Sequence, residues 1–280
     1  MNFYLHLTHE QAQNAKVKFS WTVEGEDKYA ISVPEFDDET GCYKAICQIS
    51  AAEMTYEITA TLYLNEKSVD IDSYSAVRYA DVILTDQDFI NSFTIKNGAE
   101  KYRKLAELVK AMLDYGAKAQ IQFVRDTEHP ANVKLTETQT DSPYYYNPSD
   151  VNADNISTGA SDMTNGLPEG LEYSGTTIVF LSETSMRHYY KGILGDVTVK
   201  FDEKDITPVA KGSEFYFEMK NISASNLDTL YTLQIGESEY QFSVLDYIKA
   251  CLASDKVSPS IKSLAAATYL YNQAADDYFD

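Results

Sequence analysis

The tripeptide Ile49-Ser50-Ala51 returns 173 positions later as Ile222-Ser223-Ala224. Side chains of similar type follow both copies at the same offset: Met54 with Leu227, Ile58 with Tyr231, Ala60 with Leu233, and Leu62 with Ile235. Further pairs follow at offsets of 168 and then 156: Ser75 with Ser243, Tyr79 with Tyr247, Leu84 with Leu252, Leu105 with Ile261, Leu108 with Leu264, Ala119 with Ala275, and Phe123 with Phe279. The falling offset indicates shorter loops in the second copy. A repeat of this length predicts two similar lobes rather than the short units of a solenoid.

The hydrophobic period changes within the first copy. Apolar and polar residues alternate through Ile58, Ala60 and Leu62, as expected of a half-buried strand. A helix is then predicted to begin after Ser75 and to run to about Leu84, followed by a polar loop of some twenty residues and a long helix over about 101–123. We therefore predict an α+β, mainly β fold. Each lobe is expected to be a small antiparallel β-sandwich of immunoglobulin-like type with a packed helix pair.

The predicted boundaries follow the same patterns. Lobe 1 is expected over 1–125 and lobe 2 over 171–280, with an inter-lobe segment over 126–170 that is rich in Asn, Asp, Ser, Thr, Pro and Gly. A structureless loop of that length is uncommon in a compact protein. The segment is therefore expected to carry a strand or two, or to lie across a surface.

Charge and cysteine content limit the classes of function. The net charge of −20 argues against nucleic acid and against anionic membranes, because both require Lys and Arg. No stretch reaches the length of a membrane span, and the first residues lack the basic start and apolar run of a leader peptide. The three cysteines, an odd number, do not form a disulfide framework and are expected to be buried thiols.

Cofactor and catalytic motifs do not stand out. On a strand, His6 and His9 would point to opposite faces, and the acidic run at 150–154 lacks the later Gly and Glu of a calcium loop. We find no nucleophile elbow, phosphate-binding loop or dinucleotide fingerprint. The sequence therefore predicts a protein that is not an enzyme and holds no metal or cofactor. A glycoside hydrolase stays an open alternative, since 43 acidic residues offer many carboxylate pairs.

Tyrosines supply the first candidate site. The chain has 22 of them, and Tyr144, Tyr145 and Tyr146 are consecutive between Pro143 and Pro148. Aromatic faces stack on the apolar face of a sugar ring, while the phenol hydroxyl forms hydrogen bonds. The run is a candidate carbohydrate contact, and the alternative is a plug that covers one lobe.

A second candidate site lies at the start of lobe 2. If this segment is a strand whose Met186 and Tyr190 side chains face the protein core, then Arg187, Tyr189 and Lys191 face outward together. Such a stripe offers a ring face and polar groups to a sugar or a carboxylate. The alternative is an ordinary exposed sheet face.

Two stretches carry a family resemblance. The sequence of 74–83 with that of 108–120 is similar to a helix pair in large surface proteins of gut Firmicutes, and 180–190 resembles the opening strand of the second half of that module. The similarity covers most of the chain from about residue 50. Members include starch-adherence proteins of ruminococcal amylosomes, whose bilobed starch-binding domain holds α-1,4-glucan in a groove.

The resemblance implies a non-catalytic carbohydrate-binding module for starch or another α-1,4-glucan, including maltooligosaccharides, held in a groove between the lobes. It also implies an extracellular, cell-surface location within a larger multidomain protein. The alternative is a cell-surface module that binds another protein, or a structural spacer.

Overall fold

The computed structural model describes residues 1–136, 142–145, 151–180 and 184–280. Within these ranges the chain is a mixed α+β protein, rich in β-strands, with four antiparallel sheets and six α-helices. The predicted α+β class is therefore confirmed.

Seven strands and four helices form the first half. The strands are β1 (Asn2–Leu5), β2 (Ala15–Val23), β3 (Glu26–Ser32), β4 (Glu35–Asp37), β5 (Cys42–Ile46), β6 (Ile58–Leu64) and β7 (Lys67–Tyr74). The helices are α1 (His9–Ala12), α2 (Ala76–Thr85), α3 (Gln87–Asn97) and α4 (Ala99–Phe123).

Eight strands and two helices form the second half. The strands are β8 (Leu171–Phe180), β9 (Thr184–Gly192), β10 (Val199–Phe201), β11 (Lys204–Asp205), β12 (Val209–Lys211), β13 (Glu214–Met219), β14 (Tyr231–Ile235) and β15 (Ser238–Phe242). The helices are α5 (Val244–Ala253) and α6 (Pro259–Phe279).

The strand orders of the two halves correspond. One sheet has the order β3-β2-β6-β7, and a sheet of the second half has the order β11-β10-β14-β15. Each therefore places two hairpins side by side, with the first strand of one hairpin paired to the first strand of the other. The remaining sheets have the orders β1-β5-β4 and β8-β9-β13-β12, which agree except that β8 is an extra edge strand.

The repeated serines begin the same local structures. Ser50 and Ser223 precede 3₁₀ turns with nearly equal backbone angles, φ −72° and ψ 158° for the first, φ −74° and ψ 162° for the second. Ser75 and Ser243 begin α2 and α5, and their hydroxyls accept backbone hydrogen bonds from three residues further on, at 3.1 and 3.3 Å. These are ordinary N-cap interactions, which satisfy donors that a helix start leaves free.

The prediction of a polar loop after Leu84 is wrong, because α3 occupies most of that stretch. Asp86 caps this helix by accepting a hydrogen bond from the Phe89 backbone N–H at 2.8 Å. None of its residues is fully buried, although the Phe89 and Phe93 rings stack at 5.8 Å. An apolar face this short has too few buried positions to produce a clear helical period in the sequence.

Buried side chains form separate clusters in the described part of the chain. The largest lies in the second half, around Tyr190, Phe217 and Ile235. A smaller one lies between β1 and β5 on one side and β2 and β6 on the other, around Phe19 and Ile58. The two halves are joined where α4 packs on α6, through Tyr115, Ala119, Leu264 and Ala267 among others. Small residues at this contact let the helices approach closely.

The described parts of 126–170 lie against both halves. The Ala131 backbone N–H donates to the buried Gln120 amide of α4 at 2.7 Å. Further along, Ile156 is buried in the core of the second half, and Ser161 exchanges hydrogen bonds with Gln241 of β15 at 2.8 and 2.9 Å. These described parts therefore lie across the surfaces of the two halves.

All three cysteines are unpaired and buried. No helix in the described ranges has both the length and the apolar character needed to cross a bilayer.

Candidate functional site

Strand β9 alternates between a buried and an outward face. Met186, His188 and Tyr190 are almost fully buried. Their neighbours Arg187 and Tyr189 are half-buried, and Lys191 is exposed. The predicted outward stripe is therefore present, because successive side chains of a strand point to opposite sides.

A second tyrosine completes the outward face. Tyr216 of β13 is the direct cross-strand partner of Tyr189. Their ring centroids are 5.3 Å apart and their planes are inclined by 47°. We call the outward-facing group Arg187, Tyr189, Lys191, Lys211 and Tyr216 the tyrosine surface. Its two rings form a continuous aromatic area in the middle of a four-stranded sheet.

A glycine leaves one side of this area open. Gly175 of β8 lies opposite Tyr189, next to an irregularity in the strand register. Its φ of +144° lies in a region that L side chains rarely adopt, and a side chain built there would meet nothing within 4 Å. A glycine inside a strand often marks a position where another molecule approaches the backbone. The edge of the Tyr189 ring is therefore accessible from the β8 side.

Charged groups surround the two rings. The Arg187 guanidinium lies 4.7 Å from the centre of the Tyr216 ring and bonds Glu218 at 2.8 Å. Partial burial lowers the pKa of Arg187, but the hydrogen bond and charge of Glu218 outweigh it and raise that pKa above its usual value. The Lys211 ammonium lies 4.8 Å from the centre of the Tyr189 ring. A cationic group therefore lies beside each of the two rings.

The buried face of β9 fixes the position of the surface. The His188 Nδ1 lies 2.7 Å from the Thr176 hydroxyl, and its ring meets Phe242 edge-on at 4.1 Å. Burial lowers the pKa of His188 to about 3, so the ring is neutral at physiological pH. We assign His188 a role in packing, since it lies inside the sheet and away from the outward residues.

The tyrosine surface combines ring faces with charged groups. Such a surface can hold a sugar by stacking on the two rings, by hydrogen bonds donated from Arg and Lys, and by hydrogen bonds from sugar hydroxyls to Glu carboxylates.

The predicted tyrosine run lies elsewhere. The Asn132 side-chain amide donates to the Tyr145 hydroxyl at 2.8 Å. Burial and then Asp114 raise the pKa of Tyr145, while burial and then Asp277 raise that of Tyr144. The Tyr145 hydroxyl therefore lies near α4, and the Tyr144 hydroxyl lies near Asp277 of α6. Tyr189, in contrast, contacts β12 and β13. Tyr146 lies outside the described residues.

Sequence reasoning missed two members of the surface, Lys211 and Tyr216, and the opening at Gly175. The alternation of Phe215 and Phe217 with Tyr216 already indicated an outward tyrosine on β13. Its pairing with Tyr189, the approach of Lys211 and the gap at Gly175 depend on strand register, which a local pattern does not contain.

Across the described ranges, no group of three or more His, Cys, Asp or Glu side chains is arranged so that it could hold a metal ion. Comparison with protein-family models, curated proteins and solved structures found no match.

Proposed function

We propose that this chain is a non-catalytic carbohydrate-binding module that holds an α-glucan on the tyrosine surface. The observation that carries the proposal is the Tyr189–Tyr216 pair with its open side at Gly175. A pyranose ring stacks on such a pair, and Arg187 and Lys211 lie close enough to the rings to bond its hydroxyls. The negative net charge does not oppose a neutral sugar.

We further propose that the chain consists of two immunoglobulin-like lobes and belongs to a larger protein displayed at the cell surface. The corresponding strand orders support the two lobes. At the junction, α4 and α6 are in direct contact. The sugar is therefore assigned to the exposed sheet face and not to the contact between these helices.

Starch retention tests the proposal. The protein should be retained on insoluble starch and should bind maltoheptaose weakly in calorimetry, because each stacked ring contributes on the order of 1 kcal/mol. Tyr189→Ala and Tyr216→Ala should each weaken binding several-fold. Tyr144→Ala is the matched control, since it removes a tyrosine that lies against the helices.

The results separate the alternatives. Loss of binding in Tyr144→Ala but not in Tyr189→Ala would move the site to the helix side. Release of new reducing ends from soluble glucan would indicate a hydrolase.

A protein partner is the second candidate function. Tyr29, Ile31 and Ile71 are exposed on the outer face of the β3-β2-β6-β7 sheet, at 70%, 59% and 63%. Exposed apolar groups on one face are typical of protein contacts. If the unsubstituted chain is not retained on insoluble starch, this function is favoured.

A further inference from the structure

Two aspartates of the edge strand β7 lie on the inward face of the β3-β2-β6-β7 sheet. Asp70 is the cross-strand partner of Leu62 in β6, and Asp72 is the partner of Ala60 in the same strand. Leu62 and Ala60 are buried in the core of the first half. Directly opposed residues of antiparallel strands share a face, so both aspartates lie on the inward face of the sheet, where they remain exposed to solvent. The alternate residue Ile71 is exposed on the outer face.

At one of the two corresponding positions the second half has an aromatic ring: Tyr240 corresponds to Asp72, whereas Ser238 corresponds to Asp70. Tyr240 and Phe242 of β15 pair with β14 in the same register in which Asp72 and Tyr74 pair with β6. These residues are related by the offset of 168, which also relates the capping serines. Tyr240 and Phe242 are 2% and 3% exposed and belong to the main core. The first half thus has a carboxylate where the second half has a buried ring.

A cavity of about 760 Å³ occupies the resulting space. Its volume lies within the roughly 300–1,000 Å³ that is usual for small-molecule sites. It lies between β1, β7 and α2. The apolar part of its wall comprises Phe3, Leu5, Val17, Met54, Leu62 and Met112.

Aromatic and acidic groups line the same cavity. Tyr74 and Tyr79 meet edge to face at 6.3 Å, and Tyr4 lies near the Tyr79 hydroxyl. Asp70 and Asp72 each accept a hydrogen bond from the next backbone N–H, at 2.9 and 2.8 Å. Within the described ranges, neither carboxylate forms an ion pair with a Lys or Arg.

We propose that this cavity binds a cationic amphiphile of the alkylammonium type. The apolar wall takes the alkyl chain, and the ammonium group lies between the two carboxylates and the tyrosine rings. Aromatic faces attract ammonium ions, and the net charge of −20 adds a favourable long-range field. An anionic amphiphile would be repelled. This site is separate from the tyrosine surface and does not depend on the glucan proposal.

Calorimetric titration of the full chain with octyltrimethylammonium tests the site. We expect saturable binding at one site, with no comparable binding of octyl sulfate. The double variant Asp70→Asn plus Asp72→Asn should bind roughly tenfold more weakly, because it loses two partly solvated charge contacts. Asp72→Tyr, which copies the second half, should fill the cavity and abolish binding.

Glu239→Gln is the matched control, because it removes one carboxylate from the outward face of β15 and should bind like the parent. Circular dichroism checks that each variant is folded. The proposal is overturned if the folded parent shows no saturable uptake, if octyl sulfate binds equally well, or if the double Asn variant binds unchanged.

Discussion

Tyr115 of α4 stacks on Tyr271 of α6, with ring centroids 5.4 Å apart and planes within 16° of parallel. The two residues are 156 positions apart, the offset that also relates Ala119 to Ala275. Equivalent positions of the repeat therefore contact each other. In a two-fold symmetric dimer, residues at the axis contact their own copies in the same way. The helix contact is thus the intramolecular counterpart of such an interface.

Removing this stack should destabilise the protein. Tyr115→Ala should lower the free energy of unfolding by about 3 kcal/mol or more, because it opens a cavity at a buried site. Combined with Tyr271→Ala in a double-mutant cycle, it should show a coupling of about 1 kcal/mol. Urea denaturation measures both values. Tyr29→Ala, at an exposed position, should change stability by less than about 0.5 kcal/mol. Additive effects of the two variants would contradict a direct interaction.

Asn272 should contribute to stability through one buried hydrogen bond. Its side-chain amide donates to the Ala224 carbonyl of the second 3₁₀ turn at 2.8 Å. The repeat places Gly116 at the equivalent position, where an added Cβ would lie 3.4 Å from the Ala51 carbonyl oxygen of the first turn. Asn272→Ala should cost about 1–3 kcal/mol, because it leaves the carbonyl unpaired. The exposed Asn91→Ala should be nearly neutral, and an equal loss in both variants would refute the assignment.

His188 should make stability depend on pH. Burial lowers its pKa to about 3 in the folded protein, against about 6.5 when unfolded. Between these values the unfolded state binds a proton that the folded state does not, so stability falls as the pH falls. The stability advantage of the parent over His188→Gln should shrink by about 1.4 kcal/mol for each pH unit below 6.5. Urea titrations at pH 7, 6 and 5 measure it.

The control for this experiment is His129, which is exposed. The hydrogen bond that His129 donates to the Asp126 carboxylate, and the charge of that carboxylate, raise the pKa of His129. The stability that His129 contributes is present below its pKa in the unfolded state and is lost as the pH rises through its pKa in the folded state. This pH dependence has the opposite sign to that of His188. An equal pH response of His129→Gln and His188→Gln would rule out burial as the cause.

Asp276 should destabilise the protein at neutral pH. Burial, followed by the charges of Asp228 and Asp280, raises its pKa to about 6. The folded state therefore holds a proton between about pH 4 and pH 6 that the unfolded state has lost, and stability falls as the pH rises through this window. Asp276→Asn should gain up to about 1 kcal/mol at pH 7, after allowance for solvent screening, and nothing at pH 3.5.

Thermal unfolding at the two pH values measures the gain. Asp277→Asn is the matched control, because it breaks an ion pair with Lys104 at 3.1 Å and should not stabilise the protein. A gain that persists at pH 3.5 would show that removal of the charge is not the cause.

The amino-acid sequence alone determined the local elements with clear periods. The alternation around Ile58 and the outward stripe at Arg187 and Tyr189 follow from side chains within one strand. The capping serines Ser75 and Ser243 likewise mark helix starts through contacts only three residues long. Helix α3 was missed because its apolar residues are not fully buried.

Only the tertiary structure decided which distant residues meet. It paired Tyr189 with Tyr216, stacked Tyr115 on Tyr271, and turned Asp70 toward a cavity. The physical reason is that strand register and helix packing are set by contacts between segments far apart in the chain. Shifting a strand by one residue would reverse the direction of every side chain without altering its alternating pattern.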